Sequence, residues 1–91
     1  MNDSNDDSAG PIQSERLIRQ YLGEGRYLEA KVVAKKSIAT FPPGIKYRLL
    51  LAEIFEAEGK RSNAEAELRA ILDIEPNNRA ASDALSRFGE R

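Results

Sequence analysis

Apolar residues recur along this chain at intervals of three and four, in five blocks separated by glycine or proline, which is the spacing of helices with one buried side. In the first block, Pro11 to Glu24, the repeating set is Ile12, Leu17, Ile18, Tyr21 and Leu22, with Pro11 suited to a first helical turn and Gly23 and Gly25 ending it. Tyr27 to Thr40 predicts a second helix with Leu28, Ala30, Val33, Ala34, Ser37 and Ile38 inward and Lys31, Lys35 and Lys36 outward. Phe41-Pro42-Pro43-Gly44 breaks it. Ile45 to Glu58 predicts a third, strongly apolar helix carrying Tyr47, Leu49, Leu50, Leu51, Ile54 and Phe55, closed by Gly59. A fourth helix begins at Arg61 or Ser62, turns Ala64, Leu68, Ile71 and Leu72 inward and stops before Pro76. The fifth, Arg79 to Phe88, carries Ala80, Ala81, Ala84, Leu85 and Phe88. Ahead of all five, residues 1–10 hold Asp3, Asp6 and Asp7 and almost nothing to bury, so they read as a disordered acidic tail to a domain spanning 11–91.

Superimposing the second helical pair on the first brings seven positions into one register of 34 residues. Leu17 falls on Leu51, Tyr21 on Phe55, Gly25 on Gly59, Ala30 on Ala64, Ala34 on Leu68, Ile38 on Leu72 and Pro42 on Pro76. Each repeated residue has a structural job. Gly25 and Gly59 permit a positive φ at a tight turn, Ala30 and Ala64 let paired helices approach, and the prolines end each pair.

A 34-residue helix-turn-helix unit punctuated in this way resembles the tetratricopeptide repeat family. The second unit supplies Leu51-Ala52, Phe55, Gly59, Ala64 and Pro76 of the family's pattern, and the first supplies Leu17, Tyr21, Gly25-Arg26-Tyr27, Ala30 and Pro42. Two features depart from it. Ile18 stands where a small residue usually follows the Leu, and Ser14 and Arg48 stand where the opening turn usually has a bulky residue. The resemblance implies an all-α fold, a right-handed α-solenoid of antiparallel helix pairs with five helices. It divides into repeats 11–44 and 45–78 and a capping helix 79–89.

In such a stack the first helices of the pairs line a concave face. The resemblance places Ile12, Glu15, Arg16, Arg19 and Leu22 there from the first repeat, and Lys46, Leu49, Leu50, Glu53 and Glu56 from the second. Of these, Ile12, Arg16, Arg19, Leu22, Lys46, Leu49, Leu50 and Glu53 are the candidate partner-binding residues. Leu49, Leu50 and Leu51 point in three successive directions, so they cannot all enter one hairpin core. Leu49 or Leu50, with Leu22, is expected to form an apolar floor for a bound helix or extended segment. Some members of the family clamp a C-terminal carboxylate with Lys, Asn and Arg. The corresponding places here read Glu15, Arg19, Leu50, Ala80 and Ala84, so that clamp is not expected.

Composition narrows the chemistry further. The chain has 91 residues, no Cys and no His, which leaves one small domain without disulfides, thiolate nucleophiles, imidazole bases or the usual zinc ligands. Ser14, Ser37, Ser62 and Ser82 have no activating partner in view and no glycine-rich phosphate loop occurs, so neither an enzyme nor a cofactor is expected. Asp3, Asn5 and Asp7 could open a calcium loop, but Ser8 and Ser14 occupy the places that need Gly and Glu. No apolar run could span a bilayer and no signal sequence opens the chain, so a cytoplasmic protein is expected.

Net charge is only -1, yet residues 16–48 hold eight basic and two acidic side chains while 49–75 hold three basic and seven acidic. That division suggests a scaffold or adaptor for a protein or peptide partner, or homo-oligomerisation in which a basic end meets an acidic one. A nucleic-acid surface built from Arg26, Lys31, Lys35 and Lys36 is the weakest reading, because no groove-reading motif or stacking platform accompanies it.

Overall fold

The computed structural model describes residues 3–89, with side chains described from residue 13 onward. Five helices follow in order: α1 (Asp3–Gly23), α2 (Tyr27–Thr40), α3 (Ile45–Ala57), α4 (Arg61–Ile74) and α5 (Arg79–Gly89). Each packs on the next, and α3 also touches α1, so two hairpins and a closing helix stack in line. Helical backbone in α1 begins ahead of Pro11, the start expected from the sequence. The side chains of residues 3–12, which carry the acidic segment, lie outside the described set.

The 34-residue register is visible bond by bond at the turns. Arg26 N–H donates to the Tyr21 carbonyl at 2.8 Å, and Lys60 N–H donates to that of Phe55 at the same distance. Those six-to-one bonds, with Gly25 at φ 75° and Gly59 at φ 79°, make the left-handed helix stop of a Schellman motif in both repeats. The second breaker works differently. Gly44 has φ 68° and is the residue before α3, and the Arg48 guanidinium folds back so that Nε donates to the Pro43 carbonyl at 2.8 Å. Arg48, which departs from the family's pattern, therefore braces the linker. Asn78 starts α5 by accepting from the Ala81 N–H at 2.8 Å, an N-cap side chain on the third helical residue.

Helix α3 is the centre of the core, burying Tyr47, Leu50, Leu51, Ala52, Ile54 and Phe55. It meets Ala30 and Ala34 of α2 and Ala64, Leu68 and Ile71 of α4 in one apolar cluster. Burial pushes the Tyr47 phenol above its ordinary pKa. Two expectations are corrected here. Leu17 shares register with the buried Leu51 but is 37 % exposed, and Ile18 is fully buried in its place. Leu51 has α2 to pack against, whereas among the described residues no helix precedes α1, so α1 meets the core through the next position round its axis. Leu28, expected inward, stands outward on α2 at 70 % exposure.

Candidate functional site

Side chains one repeat apart form columns on the side of the stack made by α1, α3 and α5. Glu15, Leu49 and Asp83 make one column, Arg19, Glu53 and Arg87 a second, and Leu22 and Glu56 a third. Two adjoining cavities open along them. One, of about 340 Å³, lies between α3 and α5 over Leu68 of α4 and is lined besides by Leu49, Ala52, Glu53, Glu56, Ala80, Asp83, Ala84 and Arg87. The other, of about 390 Å³, joins Leu22 of α1 to Glu53, Glu56 and Ala57 of α3. Glu53 and Glu56 line both, so the two hollows adjoin along α3 as a groove with Leu22 at one end and Leu49 at the other.

The two ends of the groove differ electrically. Toward α1, Lys46 Nζ lies 3.3 Å from Glu15 and Arg19 lies 3.8 Å from Glu15. Arg19 also reaches Glu53 across the helices at 3.5 Å. These exposed pairs each contribute little, but together they tie four charges to one another. Toward α5, Glu56, Asp83 and Arg87 have no ion pair among the described residues, so carboxylates outnumber guanidinium there. An apolar floor bordered by unpaired carboxylates suits a segment that offers an aliphatic or aromatic side chain beside a lysine or arginine.

Of the candidate residues, Leu22, Leu49 and Glu53 line the groove, and Arg19 and Lys46 stand beside it, engaged with Glu15. Leu50 does not: at 2 % exposure it is a core residue. Arg16 shares its column and also turns away, lining a separate hollow with Gln13, Leu17 and Gln20. Both corrections have one cause. This column faces the preceding helix of the stack, which for Leu50 is α2 and for Arg16 is solvent. Ile12 lies outside the residues whose side chains are described. Asp83 and Arg87 were missed, although stepping one repeat on from Leu49 and Glu53 lands on them.

The basic patch of α2 is smaller than its sequence suggests. Arg26 pairs with Glu24 and Glu29, and its guanidinium is held above its ordinary pKa chiefly by the hydrogen bond to Glu29. Lys31 Nζ is 2.9 Å from Glu58 and sits over the Phe55 ring. Lys35 and Lys36 are left exposed, with no ion pair among the described residues. No helix among the described residues is long and apolar enough to cross a membrane, and no cluster of acidic side chains there could hold a metal ion.

Comparison with known proteins adds one match, a family model described as tetratricopeptide repeat that covers residues 21–88. No curated protein and no solved structure matches the chain.

Proposed function

The chain belongs to the tetratricopeptide repeat family, whose repeats are generally protein–protein interaction modules and typically not enzymes. From that membership we propose that it serves as an adaptor or scaffold that holds a helix or extended segment of a partner protein in the groove between α1, α3 and α5. The observation that carries this reading is that the two cavities adjoin along α3, sharing Glu53 and Glu56. Leu22 gives one of them an apolar residue and Leu49 the other, and Glu56 and Asp83 give carboxylates with no partner of their own among the described residues. The bound segment would place an apolar side chain over Leu49 and a basic one against Glu56 and Asp83.

Pull-down from native extract with the intact chain, Leu49→Glu and Glu56→Lys as parallel baits tests the groove. The expected result is a partner retained by the intact chain and lost by both variants while their helical circular dichroism stays unchanged. Every partner retained by both variants would sink the groove assignment. Leu50 is unsuitable for this test, since a charge at that buried position would disturb the core.

A further inference from the structure

The outward face of α2 carries large apolar side chains that the repeat does not require. At about 100° per residue, Leu28, Ala39 and Val32 fall within an arc of about 40°, with Lys35 beyond one edge and Lys36 beyond the other. All five are exposed, Leu28 at 70 % and Val32 at 58 %. One repeat later the same positions read Ser62, Ala66, Arg69, Ala70 and Asp73, so the fold is built without any apolar stripe there. Leu28 to Ala39 spans about 16 Å of helix, long enough to seat three turns of another helix. An apolar stripe with one charge on each flank is the arrangement by which a helix pairs with a second of opposite flanking charge.

We propose that this face of α2 is a second docking surface, separate from the groove, for an amphipathic helix of a partner that carries an apolar stripe flanked by carboxylates. Charge decides the occupant. Arg26 and Lys31 are engaged with glutamates of this chain, whereas Lys35 and Lys36 are exposed with no ion pair among the described residues, and they call for acid on the incoming helix. On a second copy the exposed residues of α4 (Ser62, Asn63, Ala66, Arg69, Asp73 and Ile74) and of α5 (Arg79, Ala80, Ser82, Asp83, Ser86 and Arg87) do not pair an apolar stripe with a carboxylate on each flank. Two apolar side chains without an aromatic, and two lysines, make a poor footprint for a lipid surface.

The probe is a displayed library of short amphipathic helices randomised at the stripe and flanking positions, selected on the full chain. Enriched peptides are then synthesised and titrated by fluorescence anisotropy. The expected result is enrichment of peptides with net negative flanks whose affinity drops about tenfold or more for the double variant L28S/V32A and is unchanged for Leu49→Glu. The double variant installs the residues that the second repeat already carries at those positions, so its circular dichroism should match that of the intact chain. Reversal of charge in K35E/K36E should shift enrichment to basic peptides. Enriched peptides that bind L28S/V32A undiminished, or that lose affinity with Leu49→Glu, would overturn the proposal. So would sedimentation of the chain with phosphatidylserine vesicles, or its self-association through this face, in place of acidic-peptide enrichment. Loss through Leu49 alone would count for the groove and against the stripe, which keeps the two readings separable.

Discussion

At the scale of single residues, the glycines with positive φ are not equivalent. A Cβ on Gly59 would meet nothing within 4 Å, so Gly59→Ala adds only the strain of a left-handed backbone, about 1 to 2 kcal/mol. A Cβ on Gly44 would stand 2.8 Å from the backbone Cα of Ile38, where α2 passes close to the start of α3. That contact cannot be relieved by turning a side chain, so crowding of about 1 to 3 kcal/mol adds to the same strain. Urea denaturation should therefore rank Gly44→Ala well below Gly59→Ala in midpoint, with Gly25→Ala beside Gly59→Ala. Equal midpoints for Gly44→Ala and Gly59→Ala would show that the linker yields. The sequence made the interhelix glycines easy to interpret because they recur at the repeat length. Gly44 looked like part of a proline breaker, because the close pass of Ile38 is a property of how the two hairpins stack.

At the scale of the helix, α3 shows how much of the site the pattern of residues could reveal. Three consecutive leucines announced three destinations, and periodicity could not say which belonged to which. Leu51 and Leu50 are both 2 % exposed in the core, and only Leu49 remains half-buried at the groove. Leu50→Ala should lower stability by about 2 to 5 kcal/mol through the cavity it leaves, with no direct effect on partner affinity once folding is restored by low temperature. Leu49→Ala should do the reverse, costing little stability and weakening the partner. Guanidinium titration and a binding isotherm on the same two variants check this, and a larger stability loss at Leu49 would overturn the assignment. The same column logic explains α1. Gln13, Arg16 and Gln20 stand where α3 has Tyr47, Leu50 and Ile54, so the face that α3 presses on α2 is polar in α1. The repeat alignment contained that information, but it became readable only when the direction of each column was known.

For the molecule as a whole, the division into a basic first part and an acidic second part is partly consumed within the fold. Arg19 reaches Glu53 between α1 and α3, Arg48 lies 3.9 Å from Glu67 between α3 and α4, and Lys31 meets Glu58 between α2 and the end of α3. Much of the charge asymmetry that suggests a bipolar partner thus works between neighbouring helices of one chain. The three pairs are unequal. Arg19 and Glu53 are about half exposed and screened, whereas the Lys31 and Glu58 side chains are 15 % and 14 % exposed, with Lys31 also over the Phe55 ring. Glu58 already has one buried carboxylate oxygen without a hydrogen-bond partner. Removing Lys31 would leave a shielded carboxylate compensated only by the exposed Lys60 ammonium at 3.9 Å, so Lys31→Met, which keeps the aliphatic stem, should cost about 1 to 3 kcal/mol. Adding Glu58→Gln removes the stranded charge and should restore part of that loss, because the penalty lies in the orphaned carboxylate more than in the lost attraction. Arg19→Met should fall within about 0.5 kcal/mol of the intact chain and lose even that difference in high salt. Urea midpoints for the four proteins at low and high sodium chloride make the comparison. A double variant no more stable than Lys31→Met alone, or an Arg19→Met loss as large as that of Lys31→Met, would mean that the Lys31–Glu58 pair does not hold the two repeats together.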